Sequence, residues 1–226
     1  MIPRLILAAL LAGLLAGLVM TAIQHLRLTP LIIAAEKYEA AEKPCVENMP
    51  GMKMCGEAFA PLAAEAINKT GLTSLIIGAG FALLLAAVSL LSGMPITPQN
   101  GLIWGLCGFI AVSLAPAAGQ APQLPGMSGA DVTARQIWWA CTVAATSISL
   151  WLIAARPFAN AAVVAVLLIA LPHLFGAPHI ISQTETLPAS LAATFVANSL
   201  AANAIMWALI GLFLGHAFSY VERKYS

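Results

Sequence analysis

The sequence predicts an all-α fold, a polytopic membrane helix bundle of six transmembrane helices. Hydrophobic residues make up 61% of the 226-residue chain and charged residues only 8%, against roughly 25% charged residues in soluble domains. Six apolar runs each approach the roughly 20 residues that cross a bilayer as a helix. Backbone groups in lipid must hydrogen-bond within their own segment, and no run alternates like a barrel strand, so helices are expected. Residues 1–226 are therefore predicted to form a single integral membrane domain.

The apolar runs define the six elements, which cover residues 5–24, 72–92, 102–118, 137–155, 158–176 and 191–217. The first run follows Arg4 as a signal peptide would, but it exceeds the about 7–15 residues of an h-region and no clear A-x-A site follows it. It is therefore expected to remain as a helix. The third run is short and carries Pro116 near its end, so a bundle of five spans is the alternative.

Basic residues that flank the runs favour the cytoplasmic side of the membrane. With six spans and the N-terminus inside, the inner face collects Arg4, Arg156, Arg223 and Lys224. The expected location is the inner (cell) membrane of a bacterium, as a multi-pass protein.

The charged segment 27–71 lies between the first two runs and is predicted to be an extramembrane loop with short helices. Thr29-Pro30 is expected to end the first helix, because the residue before a proline disfavours helical backbone. The sulfur residues of the loop fit a disulfide, a soft-metal site or a plain loop, and their spacing matches no recognised zinc motif. They are Cys45, Met49, Met52, Met54 and Cys55.

Glycines one helical turn apart indicate closely packed helices, since they let two backbones approach without side chains between them. Such pairs are Gly13 with Gly17, Gly101 with Gly105, and Gly211 with Gly215. They predict a tight bundle.

Hydroxyl side chains follow one face of the fourth run, at Thr142, Thr146 and Ser149. Local hydrogen bonds to backbone carbonyls are their commoner role, and a polar path is the alternative. Cys107 and Cys141 also lie within runs and are interpreted as small packing residues.

The end of the fifth run, Leu171-Pro-His-Leu-Phe-Gly-Ala-Pro-His179, carries the sharpest chemical signal. Pro172 removes a helix N–H group and the following Gly and Pro stop the helix, so His173 lies where carbonyl groups become free. An ionisable residue in a span is a functional candidate by default, and broken helix ends serve cation pathways. The predicted metal ligands, all at the outer mouth, are His173, His179, His25 and the sulfur residues of the first loop.

The loop before the fourth run contains Pro125-Gly126, a turn signal, and Asp131, which suits a helix start. Asp131 and Arg135 stand four residues apart and are expected to be able to pair. Trp138 and Trp139 suit an interfacial aromatic belt.

Further polar residues are candidates for a transport path or for structural support. Asn198 and Asn203 in the sixth run point to different faces and are expected to bond separate neighbours. The full set is Asp131, Arg135, Glu185, Asn198 and Asn203.

Several motifs recur together along most of the chain. Gln24-His25 follows the first span, an acidic loop comes next, Leu-Pro-Gly-Met occupies 124–127, Ala-Arg-Gln at 134–136 precedes Trp138-Trp139, and Pro-His-Leu-x-Gly-Ala-Pro occupies 172–178. In these motifs the chain resembles the CbtA family of cobalt transporter subunits. Members are commonly described with five spans, and the Cys/Met segment at 45–55 is not part of the family pattern.

The resemblance implies cobalt uptake linked to cobalamin synthesis, with a small His-rich membrane subunit, CbtB, as partner. The predicted function is a permease subunit for a divalent transition-metal cation, with cobalt as transported substrate and no permanently bound cofactor. The expected partners are thus the lipid bilayer, the CbtB-like subunit and the metal ion, and no nucleic acid. No G-x-x-x-x-G-K-S/T phosphate loop occurs, so the chain is expected not to hydrolyse ATP and not to be an enzyme.

Two alternatives come from other classes of protein. A membrane redox or haem-binding protein would use His25, His173 or His216 as axial ligands. A noncatalytic assembly subunit of a transporter would use the small-residue motifs for packing.

Overall fold

A computed structural model describes residues 2–42, 59–127, 129–155, 159–179 and 187–225. No strand occurs within these ranges, which confirms the all-α prediction. The elements in chain order are α1 (Ile2–Ile23), a π-helical turn (Gln24–Leu28), α2 (Thr29–Glu42), α3 (Phe59–Ser92), α4 (Gly101–Phe109), a second π-helical turn (Ile110–Leu114), α5 (Ala115–Ala117), α6 (Val132–Ala155), α7 (Ala159–Phe175) and α8 (Ala189–Tyr225).

The described helices coincide with the six predicted apolar runs and form a helical membrane bundle. Four stretches are long and apolar enough to cross a bilayer, namely Ile2–Tyr38, Thr70–Ser92, Val132–Ala155 and Ala189–Lys224. Two apolar helices are shorter, Gly101–Ala117 and Asn160–Phe175. At 1.5 Å per residue the first of these is about 25 Å long, somewhat less than the about 30 Å hydrocarbon core. The third run is therefore a short helix, as its sequence predicts.

The core lies where α1, α3, α4 and α8 meet. α1 packs against α3 and α8, and α4 packs against α8. The largest fully buried side chains belong to α8 and include Trp207, Met206 and Ile210. The Trp207 ring stacks on Phe81 of α3, with ring centroids 4.6 Å apart. α8 is thus the central helix of this group, and α6 and α7 form a separate hairpin beside it.

The predicted glycine pairs bring helix backbones into direct contact. A Cβ atom on Gly17 would lie 2.7 Å from the Ser74 carbonyl oxygen of α3, and one on Gly105 would lie 3.0 Å from the Trp207 carbonyl carbon of α8. Gly101 and Gly211 likewise face each other's backbones. No larger side chain fits at these crossings, so the prediction of a tight bundle is confirmed.

The expected helix break at Thr29-Pro30 is wrong. The helix of α1 continues into α2 through the π-helical turn, in which the Thr29 backbone N–H bonds to the Gln24 carbonyl oxygen. The Thr29 hydroxyl donates to the same oxygen over 3.1 Å. A proline normally breaks a helix by removing an N–H and clashing with the carbonyl four residues back. Widening the helix by one residue accommodates Pro30 without ending it.

The hydroxyl face of α6 packs against α7 instead of lining an open path. The Ser149 hydroxyl contacts its own helix at Ala145 (2.7 Å) and α7 at Ala165 (2.9 Å), both through carbonyl oxygens. The Thr142 hydroxyl donates to the Trp138 carbonyl oxygen over 2.9 Å. Local backbone bonding, the commoner role of such residues, is confirmed at these two positions.

Adding one methyl group to Gly105 tests the close approach of α4 and α8. Gly105→Ala should cost about 1–3 kcal/mol, because the new Cβ has to displace backbone atoms of α8. Gly80→Ala is the matched control, since its Cβ would meet nothing within 4 Å, and it should gain about 0.4–1 kcal/mol. Thermal unfolding in detergent measures both. Equal midpoints for the two variants would contradict the described crossing.

Candidate functional site

The candidate site lies at one end of the bundle, where three helices meet. The C-terminus of α5, the N-terminal part of α6 and the C-terminus of α7 converge around Gly119, where a Cβ atom would lie 2.7 Å from the Trp138 ring and 3.0 Å from Ala177. This region is termed the α5–α6–α7 junction. Prolines 116 and 172 are both buried in it.

His173 bridges two helices at the junction through both ring nitrogens. Its Nδ1 lies 3.0 Å from the Ile169 carbonyl oxygen in α7, and its Nε2 lies 3.1 Å from the Ala115 carbonyl oxygen in α5. Carbonyl oxygens only accept hydrogen bonds, and a neutral imidazole has only one N–H. The imidazolium therefore satisfies both contacts, whereas the neutral ring donates to one and leaves the other nitrogen facing an oxygen.

The carbonyl groups around His173 belong to helix ends. Near Ala115 the helix tightens, with Ala118 N–H bonding to Ala115 O and Gly119 N–H to Pro116 O. α7 ends in the same manner, with Gly176 N–H bonding to His173 O. Helix C-termini carry partial negative charge and free acceptors. Two of them converge on one imidazole, which therefore lies against main-chain oxygens of both helices.

Trp138 and Trp139 hold the junction together. The Trp138 indole N–H donates to the Pro172 carbonyl oxygen over 3.1 Å, and the Trp139 indole N–H donates to the Val112 carbonyl oxygen over 3.3 Å. Val112 O is the oxygen that Pro116, which lacks an N–H, leaves without its helical partner. Trp138 also contacts His173 edge-on, with ring centroids 5.6 Å apart. Trp138 is buried, so its ring faces the protein.

His25 and His179, the other two predicted imidazole ligands, lie apart from these contacts. His25 sits in the first π-helical turn, and its Nδ1 is buried without a hydrogen-bond partner among the described residues. His179 is exposed and its Nδ1 lies 2.8 Å from the Ala177 carbonyl oxygen. Within the described ranges, no three His, Cys, Asp or Glu residues approach closely enough to hold a metal ion.

The loop before α6 folds over the same bundle end. Met127 N–H bonds to Leu124 O and Gly126 has φ +83°, which is the turn that Pro125-Gly126 predicts. Leu124 is buried against Ala35 of α2 and Leu187 ahead of α8. The loop thus ties α2 to the start of α8.

Asp131 and Arg135 do not pair as their spacing suggests. The Asp131 carboxylate accepts the Ala134 backbone N–H over 2.9 Å and caps α6, which confirms its expected place at a helix start. The Arg135 guanidinium lies beside Gly129 and the Gln123 side chain. Asp131 thus caps α6, and Arg135 lies against the loop before it.

The expectation that Asn198 and Asn203 bond separate neighbours is also wrong. Their side-chain amides donate to Thr194 O (2.8 Å) and Ser199 O (2.9 Å), one turn back in α8 itself. The remaining predicted site residues lie outside the described ranges and are Cys45, Met49, Met52, Met54, Cys55 and Glu185.

Sequence reasoning missed the main-chain half of the site. The carbonyl oxygens of Ala115 and Val112, and the space that Gly119 leaves for Trp138, carry no side-chain signature. Pro116 is the signal that points to them, because a proline within an apolar helix frees a carbonyl four residues earlier.

Fold and site define a polytopic helical membrane protein with an imidazole held between two helix C-termini. The family model described as "Probable cobalt transporter subunit (CbtA)" matches residues 2–219. The chain therefore belongs to the CbtA family of transporter subunits. No curated protein and no solved structure matches it.

Removing the Trp138 indole N–H tests its role at the junction. Trp138→Phe should leave the Pro172 carbonyl oxygen without its partner and cost about 1–3 kcal/mol. Trp151→Phe is the control, because Trp151 is 43% exposed and its indole makes no hydrogen bond within the described structure. Thermal unfolding in detergent compares the two. If Trp138→Phe lowers the midpoint of thermal unfolding no more than Trp151→Phe does, the hydrogen bond to Pro172 does not stabilise the fold.

Proposed function

We propose that the chain is a permease subunit for uptake of a divalent transition-metal cation, with cobalt as substrate, and that His173 is a ligand on the path. The observation that carries the proposal is the placement of the His173 imidazole between two helix C-termini. Intramembrane ionisable groups and interrupted helices of this kind occur in cation pathways. Imidazole and oxygen donors also suit late first-row divalent metals.

The pair formed by His173 Nε2 and the Ala115 carbonyl oxygen has the spacing of two metal ligands. Two donors in adjacent positions of an octahedral ion, each at about 2.1 Å, lie about 3 Å apart. The observed separation is 3.1 Å. A cation bound to both atoms lies to one side of the line that joins them, so the imidazole ring has to turn toward it while the separation of the two helices stays the same. Because a metal needs the nitrogen lone pair, its binding releases that proton.

His173 alone does not complete a coordination sphere. Main-chain oxygens and water supply hard ligands, and the other ligands come from outside the junction. We infer a small His-rich, CbtB-like membrane subunit as their source, and a link of the imported cobalt to cobalamin synthesis. Imidazole and oxygen donors do not distinguish cobalt from nickel by affinity order, so the choice of cobalt in this proposal is supported by the family description.

The glycine motifs argue against a role in assembly alone. Gly13 and Gly17 are covered by α3, and Gly101 and Gly105 are covered by α8. The motifs that would have supported an assembly subunit are therefore used within the chain.

Replacement of His173 tests the proposal in cells that express this chain with its companion subunit. His173→Ala and His173→Gln should both lower cobalt uptake at least about tenfold, since loss of even an outer-shell partner costs a metal site about 10–100-fold. Gln retains a hydrogen-bond donor for one carbonyl but removes the imidazole. Radiolabelled cobalt uptake, normalised to the amount of each variant in the membrane, is the measurement.

The matched control is His216→Ala. His216 is exposed near the C-terminus of α8, and its Nδ1 lies 2.8 Å from the Leu212 carbonyl oxygen of the same helix. Its uptake should equal that of the unmodified chain. Unchanged cobalt uptake by His173→Gln, at equal abundance of the variant in the membrane, would contradict the proposal that His173 is a ligand.

A further inference from the structure

A cavity of about 530 Å³ separates the α6–α7 hairpin from the core of the bundle. Its walls come from α3, α4 and α6, and Trp207 of α8 also lines it. α6 meets the rest of the bundle mainly at the second π-helical turn and α5. On the side of that contact toward the turn between α3 and α4, α6 diverges from α3 and α4, and the cavity lies between them.

The lining of the cavity is largely apolar, and its few polar side chains include Asn100 and Ser147. Asn100, Trp104 and Trp151 line it near the turn between α3 and α4, and Leu84, Cys107 and Ala111 line it elsewhere. Tryptophans favour the level of lipid headgroups, where an amphipathic ring meets both water and hydrocarbon. Asn100 supplies a polar group at the end of the cavity beside this turn, and the largely apolar remainder of the lining does not suit a hydrated cation.

The dimensions identify the kind of occupant. From Asn100 to Ala111 the helix rises about 16 Å, close to half of the about 30 Å hydrocarbon core. A transmembrane helix about 10 Å wide and 30 Å long occupies on the order of 2,000 Å³, so it could place only part of one face in this cavity. Small-ligand sites span about 300–1,000 Å³. One acyl chain from one leaflet fits both the depth and the volume.

The rim of the cavity faces outward. Leu84 is 51% exposed, Val88 44% and Ile103 62%, and all three also line the cavity. A phospholipid of the surrounding bilayer can enter sideways between α3 and α6 without leaving its leaflet. No such lateral entry exists for a polar solute, which would have to cross hydrocarbon.

We propose that this cavity is a binding site for one acyl chain of a membrane phospholipid, with its glycerol and headgroup near Asn100. The bound chain fills the gap between the hairpin and the core at the end of the bundle away from His173. The Asn100 amide nitrogen donates to the Pro95 carbonyl oxygen over 3.0 Å, and its second N–H is available to a lipid oxygen. The proposal does not rest on the cation path, although the cavity extends as far as Val112, whose carbonyl oxygen Trp139 binds at the junction.

Native mass spectrometry of the full chain, purified from membranes in mild detergent, tests the site. The unmodified chain should retain a single phospholipid after extensive delipidation. Ala154→Phe, which fills the cavity from α6, should lose it, whereas Ala162→Phe should keep it. Ala154 lines the cavity and Ala162 is an exposed alanine of α7, so the two variants add the same ring to different surfaces.

A second measurement serves if Ala154→Phe does not fold. A phospholipid with a brominated acyl chain, added to the delipidated unmodified chain, should quench tryptophan fluorescence saturably, at one lipid per chain. The same lipid without bromine should reverse the quenching. Absence of retained lipid together with linear, non-saturating quenching would overturn the proposal. Equal lipid retention in Ala154→Phe, or displacement of the lipid by the companion subunit, would overturn it as well.

Discussion

The need to satisfy every backbone carbonyl in a medium without water governs this structure. Each proline within an apolar helix deprives a carbonyl oxygen of its N–H partner, and lipid offers no substitute. The chain meets this need with two π-helical turns ahead of Pro30 and Pro116 and with side-chain donors from other helices. Trp138 and Trp139 donate to main-chain oxygens, and both ring nitrogens of His173 contact main-chain oxygens. The Trp139 bond replaces the partner that Pro116 removes, and the contacts of Trp138 and of His173 Nε2 lie at helix C-termini.

Small residues provide the second half of the architecture. In lipid, helices gain little from burying apolar side chains against each other, so close backbone approach and dispersion hold them together. The crossings of α1 with α3 and of α4 with α8 are of this type. The α6–α7 hairpin is instead joined through Ser149 and the tryptophans. The α6–α7 hairpin therefore does not pack against α3 and α4 along its whole length. The cavity lies where this packing is missing.

Much of the fold was predictable because its signals are local. The apolar runs, the glycine pairs and the Pro125-Gly126 turn each depend on a few neighbouring residues, and all three predictions hold. The prediction of a helix break at Thr29-Pro30 failed because a helix can accommodate a proline by widening into a π-helical turn. Asn198 and Asn203 misled because an amide can reach a carbonyl of its own helix. The tertiary partners of Trp138 and His173 could not be predicted, because they are main-chain carbonyl oxygens and the spacing of side chains does not show where these lie.

The composition of the site bears on how a cation could pass through it. A resident metal needs several strong ligands, yet the described residues bring together no three side chains able to hold one. One imidazole with carbonyl oxygens binds a divalent ion weakly, and weak, exchangeable binding is what conduction requires. If His173 is the ligand proposed above, any proton that Nε2 carries toward the Ala115 carbonyl oxygen has to leave when the ion binds. Under that proposal, the contact that stabilises the junction also sets a threshold for the cation that crosses it.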